Sequence, residues 1–276
     1  GLQLQPQDYL YAYYRDDAML LALGMTPEEL MLQLFAKADD PFSGGRTYYG
    51  HPSLKRSGKP RIPHNSSATG MQAIPATGAA LGLQYREDQN LGQEVVGSHP
   101  PVVLCSIGDA AMTEGEVSEA LHMATLRQLP IIYLVQDNEW DISAHSSEIR
   151  FGDATTMAQA FPGLDVRSVN GHDYAASCEA MAWAFRTVRE ERRPVLVHAK
   201  VPLLGHHTSG VRREWYRDDL DEAQTRDPLP HLQAALLNDK VDQAVLQEII
   251  EDSRALVQDA FDQARVAKEP DATELM

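Results

Sequence analysis

Residues 108–143 read GDAAMTEGEVSEALHMATLRQLPIIYLVQDNEWDIS. Just before them, residues 102–107 form an apolar run, short and rich in β-branched side chains, the pattern of a strand buried on both faces of a parallel sheet. The run ends in Gly108-Asp109, which sets a carboxylate at the strand's carboxyl end, where open α/β sheets bind their ligands. Thr113 and Glu116 have the spacing of a capping box, and Val117, Ala120, Leu121 and Ala124 recur on one helical face. Pro130 closes the connection, and residues 131–135 make a second buried strand that runs into Asp137-Asn138. A right-handed crossover makes the two strands parallel, so one unit delivers Asp109 and Asn138 to the same sheet edge. Hard oxygen donors of this kind suit magnesium or calcium and leave places for phosphate oxygens and water. The helix start after Asp109 offers free N–H groups to the same phosphates. A plain βαβ unit whose Asp and Asn only shape turns has the same pattern.

The chain has 276 residues and a formal charge of −16, with a sequence pI of about 4.9. Its length suits one α/β domain over residues 1–276, with ample chain for a core. The acidic balance argues against nucleic acid or an anionic membrane as partner, because their phosphates would be repelled. No apolar run approaches the ~18 residues of a membrane span, and the first residues are neither basic nor signal-like. The expectation is a cytoplasmic bacterial protein, with the mitochondrial matrix as its place only where a transit peptide has been removed. Cys105 sits in a buried-looking strand and Cys178 in a helical pattern, which is no disulfide framework. The basic stretch Lys55, Arg56, Lys59 and Arg61 reads as a solvated loop, with docking or phosphate binding as the alternative.

Residues 9–23 are predicted as a helix ending at Gly24. Thr26-Pro27-Glu28-Glu29 then supplies the N-cap, first-turn proline and capping glutamate of a second helix running to Ala38. Residues 39–66 read as a long loop carrying Gly44-Gly45, the rings of Tyr48, Tyr49 and His51, and Pro60 and Pro63; loops of this length in compact domains are functional or mobile. A Gly/Ala-rich helix follows at 73–84 and a polar connection at 86–100. Beyond the central unit come a short helix, a strand at 164–169, a helix capped by Asp173 and running to Glu190, and a strand at 194–201. His198, inside that last strand, is expected to be a packed, hydrogen-bonded core residue. The strand leads into Leu203-Leu204-Gly205-His206-His207-Thr208-Ser209-Gly210 and then Glu214-Trp215-Tyr216-Arg217. A histidine pair in a Gly-flanked loop at a strand's carboxyl end suits acid–base or anion-stabilising work. Residues 227–267 read as two helices joined at Asn238-Asp239.

In this order the segments resemble the alpha subunit of thiamine-diphosphate-dependent 2-oxo acid dehydrogenases, nearer the branched-chain (2-oxoisovalerate) type than the pyruvate type. The Gly-Asp, helix, strand, Asn sequence resembles the magnesium motif of the thiamine-diphosphate fold. Tyr14-Arg15 is similar to the family's diphosphate-gripping pair, residues 66–72 to its Ser-Ser-Pro-Leu-Ala-Thr-Gln segment, and residues 205–217 to its Gly-His-His-Ser loop followed by Tyr-Arg. The resemblance implies an α/β thiamine-diphosphate-binding fold, a mostly parallel sheet flanked by helices on both faces, with active-site loops at 39–66 and 203–217. It implies that Mg²⁺ is held by Asp109 and Asn138 through side chains and by Trp140, in place of the family's tyrosine, through its carbonyl. Cofactor contacts are implied for Tyr14, Arg15, Ser67, Thr69, Gly108, Asp109, Ala110, Ala111, Asn138, Ile142 and His207. A catalytic role is implied for His207, with His206 beside it.

The reaction implied is oxidative decarboxylation of a 2-oxo acid, the cofactor serving as electron sink and a lipoyl-bearing acyltransferase component receiving the acyl group. The family's glutamate that activates the cofactor belongs to a beta subunit, and no equivalent motif occurs here. Half a site is therefore implied, completed in a heterotetramer of two alpha and two beta chains or by a fused beta-like half. The chain departs from the family at Ala110, where a glycine is usual, and at Asp137, where an asparagine is usual and a carboxylate adds charge near the diphosphate. Thr69 stands where the family has a bulky apolar wedge, with Met71 as the substitute. Leu203 replaces an arginine, and Gly210-Val211-Arg212 replaces paired aspartates, so regulatory phosphorylation is not carried over to Thr208 or Ser209. Two other readings are another thiamine-diphosphate lyase or transketolase-like enzyme, and a noncatalytic Mg-diphosphate-binding module. The sequence has neither a Gly-x-Ser-x-Gly elbow nor a Gly-x-Gly-x-x-Gly fingerprint after a strand.

Overall fold

The structure, a computed structural model, describes residues 1–91 and 99–275. In chain order come β1 (Tyr9–Tyr11), α1 (Asp17–Ala22), α2 (Pro27–Leu34) and, after the long loop, α3 (Ala73–Asp88). β2 (Val103–Gly108), α4 (Gly115–Arg127) and β3 (Ile131–Asp137) form the central unit. A small hairpin of β4 (Trp140–Asp141) and β5 (Ala144–His145), then α5 (Ser146–Ile149) and α6 (Ala154–Ala158), lead to β6 (Asp165–Asn170), α7 (Tyr174–Glu191) and β7 (Val195–Lys200). The last helices are α8 (Leu220–Thr225), α9 (Pro228–Asn238) and α10 (Gln243–Val266).

Five strands make one sheet in the order β1-β2-β3-β7-β6, and each pairing is parallel. Successive side chains of a strand point to opposite faces, and both faces here are covered by helices. Val103, Cys105, Ile107, Ile131, Tyr133 and Val135 pack with α3, α4 and α6. Leu104, Ile132, Leu134, Val195 and Val197 pack with α1, the start of α2 and α7. Burial on both sides is why these strands read as unbroken apolar runs. Ala73, Ala76 and Ala80 are fully buried on α3, and Thr77 from the same helix shares a 2.6 Å hydrogen bond with the Tyr133 hydroxyl. Register places Gly108 opposite Gln136 and Asp137 opposite Lys200, so the carboxyl ends line up along one edge. No helix among the described residues is long and apolar enough to cross a membrane.

Residues 9–23 are not one helix. Tyr9–Tyr11 is a strand paired with β2, and helix begins only at Asp17. The aromatic side chains of that run suit a pleated, half-buried surface; the Asp16 carboxylate accepts the Tyr13 N–H at 2.8 Å and turns the chain between the two elements. Tyr14 and Arg15 therefore lie in a turn. The Thr113–Glu116 capping box does not form either: Thr113 ends a short 3₁₀ turn and donates its hydroxyl to Ala110, and α4 starts one residue past Glu114 with no side-chain cap. At Thr26 the predicted capping box is present, but α2 stops at Leu34 as Ala36 takes a φ of +52°. α3 extends past 84 to Asp88; the rest of the polar connection includes residues 92–98, which lie outside the described residues. α10 folds back on α2, where Phe35 and Phe261 meet edge-on at 5.3 Å.

Candidate functional site

β1, β2 and β3 end beside one another, and the segments leaving their carboxyl ends, with parts of the long loop and the loop after β7, build a cleft. Its walls carry Tyr13, Tyr14, His51, Ser67, Thr69, Gly108, Asp109, Ala110, Ala111, Trp140, Asp141 and His207. The structure thus brings together segments from the first turn, the Ser-Ser loop, the central unit and the histidine loop. Gly108 is required by this convergence: a Cβ there would stand 2.8 Å from the Tyr13 hydroxyl. Thr69 is on the wall and Met71 is not.

Arg15 lies beside the cleft. Its guanidinium donates to the Tyr13 hydroxyl, to the Tyr14 hydroxyl at 2.9 Å and to the His207 carbonyl at 2.9 Å, and it stacks 4.7 Å over the Tyr14 ring. The histidine loop is closed at its base by Arg217, which donates to the Leu203 carbonyl at 2.6 Å and stacks 5.3 Å over Trp140. Burial, then the Arg15 charge, pull the His207 pKa down to about 4. His206 is exposed and accepts the Arg213 N–H through Nδ1 at 3.2 Å; it does not face the cleft.

Asp109 is buried at the end of β2. Its Oδ1 accepts the Asn138 N–H at 3.3 Å, while Asn138 Oδ1 accepts the Trp140 N–H at 3.0 Å. The Asn138 side chain is therefore turned onto its own loop and is not part of the cleft wall. The turn carries positive φ at Glu139, +67°, and at Ile142, +55°, an uncommon conformation for side-chain-bearing residues and a costly one for a β-branched residue. Ile142 is 45% exposed and lies off the cleft.

Asp137 does not leave a bare charge beside Asp109. Its Oδ2 accepts from His198 Nε2 at 2.7 Å and its Oδ1 accepts from Arg150 Nη2 at 2.8 Å. Burial alone would raise the Asp137 pKa, but the bond from His198 and the Arg150 charge hold it below the ordinary carboxylate value. Burial, then the neighbouring Asp137, raise that of Asp109. His198 is fully buried and hydrogen-bonded, as its place inside a strand predicts.

Thiamine diphosphate and a divalent cation can be weighed against these atoms. Asp109 Oδ2 is buried without a hydrogen bond, its charged neighbour being Arg150 Nη2 at 3.0 Å, and Asn138 Oδ1 keeps a second lone pair after bonding Trp140. No group of three or more His, Cys, Asp or Glu side chains able to hold a metal occurs among the described residues, so a cation would complete its shell from carbonyl, phosphate and water oxygens, as hard cations do. The donor set fits.

The family model for the dehydrogenase E1 component matches residues 2–273. The chain belongs to the dehydrogenase E1 component family. As a family member it is 31% identical to the 2-oxoisovalerate dehydrogenase subunit alpha of Bacillus subtilis (strain 168), over 94% of this chain and 76% of that protein. It is 32% identical to the mitochondrial 2-oxoisovalerate dehydrogenase subunit alpha of Caenorhabditis elegans, over 80% of this chain and 48% of that protein. The pyruvate dehydrogenase E1 component subunit alpha of Rickettsia bellii (strain RML369-C) is 24% identical over 98% of this chain and 79% of its own length. The family is thiamine diphosphate dependent.

Three residues of this E1 chain's site have no motif to announce them. Tyr13 precedes the Tyr-Arg pair, and its hydroxyl pKa is raised, by burial above all. His51 reaches the cleft from the long loop with Nδ1 held 2.8 Å from the Tyr49 carbonyl. Arg150 stands just past α5 and brings its guanidinium to both Asp109 and Asp137. The ring cluster in residues 48–51 is a signal for His51; nothing local marks Arg150.

Proposed function

We propose that this chain is the alpha subunit of a 2-oxo acid dehydrogenase, acting with a beta subunit in thiamine-diphosphate-dependent oxidative decarboxylation and acyl transfer to a lipoyl carrier, with branched-chain 2-oxo acids preferred. The observation that carries this reading is the convergence of Tyr14, Ser67, Asp109, Trp140 and His207 on one cleft at the sheet's carboxyl edge in a chain of the E1 family. Bound thiamine diphosphate supplies the electron sink for decarboxylation.

The chain's own residues bind and orient. Asp109 and the Trp140 carbonyl would hold Mg²⁺, joined by Asn138 once its side chain turns from the Trp140 N–H, and the backbone N–H groups of the 3₁₀ turn at Ala110–Thr113 would be available to the diphosphate. Arg15 has a planar fork suited to phosphate oxygens and is held ready by two tyrosines. His207, neutral at physiological pH, would offer a ring nitrogen in the cleft as a proton acceptor, and the Arg15 charge that disfavours its cationic form would make it release that proton readily. The two halves of the site are proposed to meet in an assembly of two alpha and two beta chains, which removes bulk water and strengthens these electrostatic contacts.

The test is decarboxylation by this chain paired with a beta subunit, with Mg²⁺, thiamine diphosphate and a lipoyl acceptor, offered 2-oxoisovalerate, pyruvate and 2-oxoglutarate in turn. The expected order puts 2-oxoisovalerate first. Preference for pyruvate would correct the substrate alone, and absence of turnover on all three would overturn the reading.

A further inference from the structure

Arg150 is buried to the level of its terminal nitrogens, its side chain 4% exposed. One nitrogen, Nη2, stands 2.8 Å from Asp137 Oδ1 and 3.0 Å from Asp109 Oδ2. The other, Nη1, is buried with no hydrogen-bond partner. Asp137 is held from its remaining sides by His198 Nε2 and by the Glu139 N–H at 3.0 Å. Behind His198, Asp153 lies 3.8 Å from Nδ1 and 3.9 Å from Lys200 Nζ, so those two charges oppose each other. A guanidinium that leaves one nitrogen unbonded while gripping two carboxylates is placed for its charge. Asp137 and Arg150 together carry the same formal charge as a neutral amide at position 137 with no arginine.

We infer that Arg150 is a positioning residue of the cation–diphosphate site, which cancels the charge of Asp137 and fixes Asp109 so that one carboxylate, not two, faces the cation. The inference rests on the function proposed above. Without Arg150 a lone divalent cation meets two carboxylates and gains attraction, whereas a diphosphate meets an uncancelled negative charge and is repelled, an effect that survives at the effective dielectric of partly buried sites. The two ligands should therefore respond in opposite directions, which a general loosening of the fold would not produce.

The experiment compares Arg150→Met, Arg150→Lys, Asp137→Asn and the double variant Asp137→Asn/Arg150→Met. Mn²⁺, which shares magnesium's preference for oxygen donors, is titrated alone on the full chain by calorimetry. Thiamine diphosphate is titrated at saturating Mn²⁺ on the chain paired with a beta subunit, and circular dichroism follows the fold. Arg150→Met should tighten Mn²⁺ alone several-fold and weaken thiamine diphosphate about tenfold. Arg150→Lys should retain much of the wild-type balance, and the double variant should return both affinities to within about threefold of wild type, as expected for coupled neighbours. If Arg150→Met fails to fold, the double variant decides: wild-type-like binding supports the inference, and failure to fold or bind overturns it. Unchanged thiamine-diphosphate affinity in a folded Arg150→Met overturns the inference alone. Absence of thiamine-diphosphate binding by the unaltered pair overturns the functional reading, and this inference with it.

Discussion

At His207 the folded pKa, about 4, lies below the ordinary histidine value of 6.5. A group depressed in this way contributes stability that is complete above about pH 6.5 and is lost as the pH falls toward 4, because the unfolded chain then takes up the proton more readily. An NMR titration of the His207 ring should show no midpoint between about pH 5 and 8; a midpoint near the solvent value would mean that the loop is open. His207→Ala should lower turnover about a hundredfold or more, the usual scale of a positioned acid–base group, while leaving cofactor affinity within a few-fold. At Asp109, replacement by Asn keeps the shape and removes the charge, so Mg²⁺-dependent thiamine-diphosphate binding should weaken; calorimetry that finds no change would mean the central motif has been misread. The places of Asp109 and His207 were legible in the sequence because each lies past the end of a short, mostly apolar strand, and a strand's end is a position in space. Arg150 was not, because its meaning lies in two carboxylates that approach it only after folding. Asp137 shows the same limit, since its charge reads as a liability until its partners are seen.

At the scale of elements, β2, β3 and β7 were readable because burial on both faces demands continuous apolar sequence. β1 was not, since a three-residue edge strand offers little periodicity and its rings also fit a helical face. What fixes β1 is polar. Asp8, fully buried just before it, accepts the Val102 N–H at 3.0 Å and an Arg189 N–H at 2.9 Å, so one carboxylate ties the first strand to β2 and to α7. Removing one member of a buried pair leaves the other charge uncompensated, at a cost of about 3–5 kcal/mol. Arg189→Met should show that loss in denaturant unfolding; a loss below about 1 kcal/mol would place the pair in contact with water.

For the whole molecule, the helices covering the β2–β3 unit keep apolar side chains in solvent: Ile74, Leu81 and Tyr85 on α3, Met123 and Leu126 on α4. Apolar side chains exposed on two neighbouring helices are candidates for burial against a partner. Sedimentation at micromolar concentration should find the chain self-associated or, with a beta subunit present, in a larger complex; a clean monomer that decarboxylates a 2-oxo acid unaided would refute the shared-site mechanism. The parallel sheet has another consequence, for time. Arg15 takes hold of the His207 carbonyl 192 positions later in the chain. At roughly 5–20 residues per second of synthesis, that is a wait of about ten to forty seconds. Tyr14 and Arg15 leave the ribosome among the first residues of this sequence, yet the corner they form can close only after all five strands of the sheet have been made.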